Sequence, residues 1–178
     1  MRYTKRKSDN TTQNKSDVHE WINWSLTKHT EDEIREKCLT DFNNVCFTFV
    51  CNTSKMSEEF IEELMVLSTG ILTKENYDDI YDKLHTTILE NAGVIPRKSE
   101  RWYIDIHETS LGYDSDKSKT ISSTTILDRM DWAGISKNQK LSEDFIRKFS
   151  KLLSWKEIRA SQSLSKEFIE EFKHELSN

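Results

Sequence analysis

The residues of this chain best suited to chemistry are Asp105 and His107. They stand two apart in the run 101–109, where Trp102, Ile104 and Ile106 alternate with Tyr103, Asp105 and His107. A period of two is the pattern of a half-buried strand, and it sets the carboxylate and the imidazole on one face beside Tyr103. Such a pair can move protons or hold a metal. Spacing supplies neither a third ligand nor a nucleophile, so the plainer reading is the solvent face of an amphipathic strand. Cys46 and Cys51 could be joined by His19, His29 or His85 as zinc ligands. Five apart on a strand, however, the two thiols point to opposite faces, and buried reduced thiols are the preferred reading. Asp114, Ser115 and Asp116 resemble the start of a calcium loop, but Lys119 stands where that loop needs glycine. No phosphate-cradling glycine loop, nucleophile elbow or HExxH motif occurs, and no metal or cofactor is expected.

Charge gives a second set of candidates. The net charge of −5 is unevenly spread. Residues 56–92 hold nine Asp/Glu against two Lys/Arg, whereas residues 1–30 hold six Lys/Arg against three Asp/Glu. The acidic stretch offers Glu58, Glu59, Glu62, Glu63, Asp78, Asp79 and Asp82 to a basic groove on a protein partner; the default alternative is a solvated helix face. The tail residues Arg2, Lys5, Arg6 and Lys7 could meet phosphates, but a solubilising tail is preferred, so nucleic acid is not the favoured partner.

The elements that would position these groups follow from composition and pattern. One proline and four glycines in 178 residues are too few for a turn-rich sheet protein, so the fold is expected to be mainly α with a small β element. Residues 1–16 read as a basic tail that is disordered or ordered by a partner, 17–121 as an α+β domain, and 122–178 as a helical repeat. Thr30 to Glu33 is a capping box. Val45 to Cys51 is rich in β-branched and aromatic residues and is expected to be a strand. Helices are expected from Ser57 to about Leu67, and from Thr73 to a stop at Gly93. Three cysteines without a CxxC pair, no long apolar run and a polar N-terminus lead to the expectation of an intracellular protein, neither secreted nor transmembrane.

The repeat is the clearest signal. Residues 131–153 and 154–176 align with nine identical positions, seven of them apolar. Trp132, Ile135, Phe145, Ile146 and Phe149 match Trp155, Ile158, Phe168, Ile169 and Phe172, so these ten are the expected repeat core. Gln139 matches Gln162. Each unit reads as two short helices, the second capped by Ser142 or Ser165. The first is capped by Asp131 or by a capping box, Ser154 to Glu157. Helices this short need stacked neighbours, and two units are too few, so the array is expected to dock on something. Residues 122–130 supply a partial unit through Ile126 and Met130. The run Met56 to Ile61 echoes Leu141 to Ile146, either as a decayed repeat or as the same capping solution reached twice.

The pattern W-x-x-I-x-x-x-Q-x-L-S-x-x-F-I-x-x-F, here Trp132–Phe149 and Trp155–Phe172, resembles a short repeat of large-DNA-virus and tailed-phage proteins. The resemblance covers about 46 of the 178 residues. It implies a helical scaffold and a viral source, with a place in the host cytoplasm or the virion, and no particular activity. Three functions are therefore weighed. The first is a non-enzymatic interaction protein that binds a host or viral protein as inhibitor or adaptor. The second is a structural or packaged virion component, and the third a small enzyme using Asp105 and His107.

Overall fold

The computed structural model describes residues 22–96 and 129–177. Residues 22–25 are helical. They are followed by α1 (Glu31–Thr40), a 3-10 turn (Phe42–Asn44), α2 (Phe47–Thr53), α3 (Glu58–Leu67) and α4 (Tyr77–Asn91). Beyond the undescribed stretch come α5 (Trp132–Asn138), α6 (Glu143–Lys148), α7 (Trp155–Ser161), α8 (Lys166–Glu171) and α9 (Lys173–Ser177). Among the described residues there is no strand, so the expected α+β part with a small β element is corrected to a helical one. None of the described helices is long and apolar enough to cross a membrane. The expected strand carrying Asp105 and His107, the tail residues Arg2, Lys5, Arg6 and Lys7, and Ile126 lie outside the described residues.

The stretch Val45 to Cys51 shows why the strand expectation failed. Its apolar residues fit two periods at once. Val45, Phe47, Phe49 and Cys51 alternate, while Phe47, Val50, Cys51 and Ser54 are spaced for a helix. Burial follows the helical set: Phe47, Val50, Cys51 and Ser54 are buried, and Thr48 and Asn52 are exposed. Tertiary packing outweighs the β propensity of the individual residues.

That helix completes a repeat unit. Phe47 stands ten residues before the cap Ser57, as Trp132 stands before Ser142 and Trp155 before Ser165. Val50 then falls with Ile135 and Ile158, and Phe60 and Ile61 with Phe145 and Ile146. The echo at Met56 to Ile61 is thus part of a whole two-helix unit, α2 and α3. The helical residues 22–25 together with α1 stand before it as a further unit. Among the described residues four units stack: α2 packs on α5, α5 on α7, and α1 on α3. Unit two is what the C-terminal pair docks on. One continuous core runs from Ile34 and Cys38 through Phe60, Ile61 and Leu64 to Ile135, Phe145, Ile146, Phe149, Ile158 and Phe168.

Capping closes each second helix. Ser57, Ser142 and Ser165 accept the N–H three residues on, each at 3.1 Å. Asp131 accepts from Gly134 at 2.8 Å. The expected capping box at Ser154 is absent: its side chain makes no cap bond, and its N–H donates instead to Ser136 Oγ of the preceding unit at 2.9 Å.

Because the core is shared, damage to one unit is expected to spread. Phe145→Ala empties a site that is 4% exposed, which costs about 3–5 kcal/mol. Thermal unfolding followed by circular dichroism should show one transition, lowered as a whole. A separate early transition confined to the C-terminal third would contradict the shared core.

Candidate functional site

Several buried polar side chains, Ser54, Glu63, Ser136 and Gln139 among them, lie at the junctions between units. Each unit ends its first helix in a turn whose backbone groups lack helical partners. Gln139, 3% exposed, fills that gap for the unit before it. Its Oε1 accepts from the Met56 N–H at 3.0 Å, and its Nε2 donates to the carbonyls of Cys51 and Ser54 at 3.0 and 2.9 Å. Gln162 repeats the geometry one unit on. It accepts from Leu141 N–H at 3.2 Å and donates to the carbonyls of Ser136 and Gln139, both at 2.8 Å. Ser54 holds the same position in the second unit and accepts the His29 N–H at 3.1 Å. One side chain per unit thus reads the register of its predecessor.

A glutamate reads it in the other direction. Glu31, Glu58 and Glu143 each directly follow a cap residue, where the helix dipole favours an acid. Each accepts the N–H of the next unit's cap: Glu31 from Ser57, Glu58 from Ser142, and Glu143 from Ser165. Glu58 and Glu143 also accept the serine hydroxyls, at 2.9 and 3.1 Å. The first unit differs, since its Thr30 N–H goes to its own Glu33 at 2.8 Å in the capping box that the sequence announces. In the fourth unit Lys166 stands where the rung glutamate stood.

The third link is an ion pair whose sign alternates. Arg35 grips Glu63 with two bonds, at 2.5 and 2.7 Å. At the next junction Glu62 takes the place of Arg35 and meets Lys148 at 2.6 Å. At the third, Arg147 meets Glu171 at 2.9 Å. Arg35 and Arg147 also lie over the rings of Phe60 and Phe168, at 5.3 and 4.9 Å from the centroids. These cation–π contacts add apolar cover to the charge pairing.

Hydrogen bonds at the caps and junctions hold several carboxyls below the ordinary carboxylate range. For Glu33 the leading cause is the Thr30 N–H, and for Glu143 it is the Ser165 N–H. Burial pushes Glu62 up, but bonds from His85 and Lys148 outweigh it and bring it below its usual value. Burial pushes the thiols of Cys38 and Cys51 up to about 12, so they are inert as nucleophiles or ligands at neutral pH. Among the described residues no three His, Cys, Asp or Glu gather as a metal would require.

The acidic candidates therefore divide. Glu58, Glu62 and Glu63 lie at junctions, and Glu63 is 8% exposed with Tyr77 Oη donating to it at 2.6 Å. Glu59, Asp78, Asp79 and Asp82 face solvent. Of the repeat-core candidates, Ile135, Phe145, Ile146, Phe149, Ile158 and Phe168 are buried, while Trp132, Trp155 and Phe172 pack half-buried against the core. Ile169 is the exception, 46% exposed. Sequence reading saw the paired glutamines as identities without a role. The recurrence of glutamate after the caps Thr30, Ser57 and Ser142 was visible and would have identified this link.

Between the second and third units the chain makes a long excursion. Trp132 lies 85 positions after Phe47, where consecutive C-terminal units are 23 apart. The junction is nevertheless made as if the units were contiguous. The two ends of the insertion are tied together, since Arg129 Nη1 donates to the Ser68 carbonyl at 2.7 Å and its guanidinium lies over Phe42. Within the insertion, α4 packs on α3, and His85 bonds Glu62 at 3.1 Å.

Gln139→Ala leaves one buried N–H and two carbonyls without partners. Each unpaired buried group costs about 1–3 kcal/mol, so urea unfolding should show a larger loss than Ser142→Ala, worth about 1 kcal/mol. An effect no larger than the cap substitution would remove the glutamine from its role. The depressed carboxyls add a sign: their stabilisation is present above the unfolded carboxylate pKa and is lost as pH falls through the lower folded values. Stability should therefore fall on acidification below the ordinary carboxylate range, and less steeply in Glu143→Gln. No protein-family model, no curated protein and no solved structure matches the chain, so its functional reading rests on this geometry.

Proposed function

We propose that this chain is a non-enzymatic interaction protein of a virus or phage, a repeat scaffold that presents an insertion to a protein partner. The observation that carries the reading is the junction between the second and third units. A full set of inter-unit bonds closes there although the chain makes a long excursion between them, and Arg129 pins the exit to the entry at Ser68. A stack that keeps its register across such an excursion can hold whatever the excursion displays. Insertions in repeat proteins commonly map to one, often binding, face. Three of the four acidic candidates on α3 are engaged in the stack and only Glu59 is left there, so among these candidates most of the charge open to a partner is on α4, where Asp78, Asp79 and Asp82 are exposed. A basic protein surface is the complementary partner, and charge of this kind acts chiefly on encounter rate.

The test reverses that face. Asp78→Lys, Asp79→Lys and Asp82→Lys together leave the buried residues of α4 untouched. Two of them remove acids from its first turn, a loss of about 0.3–1 kcal/mol each. Affinity purification from infected cells should recover a protein with the parent chain and lose it with the variant. With that protein in hand, association should slow about tenfold or more and lose its salt dependence. Equal recovery and equal rates for both chains would overturn the assignment.

A further inference from the structure

The outer face of the fourth unit differs chemically from every junction before it. In the second and third units the residues one, four and five positions after the cap reach the following unit or are covered. Glu58 and Glu143 bond the next serine, Glu62 and Arg147 make the forward ion pairs, and Ile61 and Ile146 are 0% exposed. The same positions in the fourth unit are Lys166, Ile169 and Glu170, and Ile169 is 46% exposed. Among the described residues Glu170 meets only Lys173 of its own unit, at 3.1 Å, with both side chains mostly in solvent. An exposed pair of this kind is worth little and exchanges readily.

With Lys in place of the rung glutamate, this face does not suit another unit of the same kind, whose cap would offer an N–H and a hydroxyl. It does suit itself. Lys166 and Glu170 are four apart on one stripe of α8, with Ile169 beside them. Turned about a two-fold axis across the helix, Lys166 of one copy faces Glu170 of the other twice over. The two Ile169 side chains then meet near the axis. An isologous contact requires this self-complementarity.

We propose that the fourth unit is a dimerisation face, and that its occupant is the fourth unit of a second copy. An interface built on one short helix is at the small end of the range, so the dimer is weak and concentration-dependent.

The experiment is sedimentation velocity of the full chain from micromolar to near-millimolar concentration. Because Ile169, Lys166 and Glu170 are exposed, their variants should keep the parent's circular dichroism and melting curve. The parent should show a monomer–dimer equilibrium. Ile169→Glu and Lys166→Glu should each weaken it about tenfold or more. Lys166→Glu combined with Glu170→Lys should restore it, because the reversed pair is still complementary across the axis. A parent that stays monomeric throughout, a dimer indifferent to Ile169→Glu, a double variant that is not restored, or open-ended larger species would each overturn the proposal.

Discussion

The structure depends on one constraint: the backbone at the end of each first helix cannot satisfy itself. A short helix leaves N–H and carbonyl groups open at both ends, and in a stack these ends are partly buried. Here the missing partners come from the next unit. Gln139 and Gln162 supply one acceptor and two donors apiece, and Ser54 supplies the acceptor alone. Apolar stacking is tolerant of small shifts, whereas three bonds to fixed backbone positions are not. The apolar core supplies most of the attraction, and the glutamines set the register in which it acts.

The other links follow from that register. Once the glutamine is seated, the glutamate after each cap lies beside the next serine, and the ion-pair positions face one another. The alternating sign of those pairs, Arg35 to Glu63, Glu62 to Lys148 and Arg147 to Glu171, gives the middle junction the opposite polarity to the two beside it. The first unit stacked directly on the third would set Arg35 against Lys148, two like charges. This discriminates against misordered stacks, a need sharpened by the long insertion through which the third unit must find the second. Burial of Glu63 with Tyr77 and His85 beside Glu62 ties α4 into the same arrangement.

Much of this was written in the local sequence. The cap at Thr30, the serine caps at Ser57, Ser142 and Ser165, the stop at Gly93 and the pairing of the C-terminal units all depend on residues a few positions apart, and all are present. What was not legible depends on distant partners. Val45 to Cys51 satisfied both periods, and only its packing on α5 decided for a helix. The acids of α3 read as a patch awaiting a partner because Lys148, which meets Glu62, lies 86 residues away. The exposure of Ile169 was hidden by its identity with Ile146, since equivalent residues differ when only one has a unit stacked upon it.

The claim on which everything else stands is that the second and third units are joined by side chains rather than by the chain that connects them. It is tested most directly by removing the connection. Residues 1–110 and 111–178, co-expressed as two separate polypeptides, divide the chain within the insertion and leave every described junction intact. The pieces should purify as one species with the helical content of the parent and unfold together. Pieces that purify apart, or a C-terminal piece that folds and melts independently of the other, would contradict it.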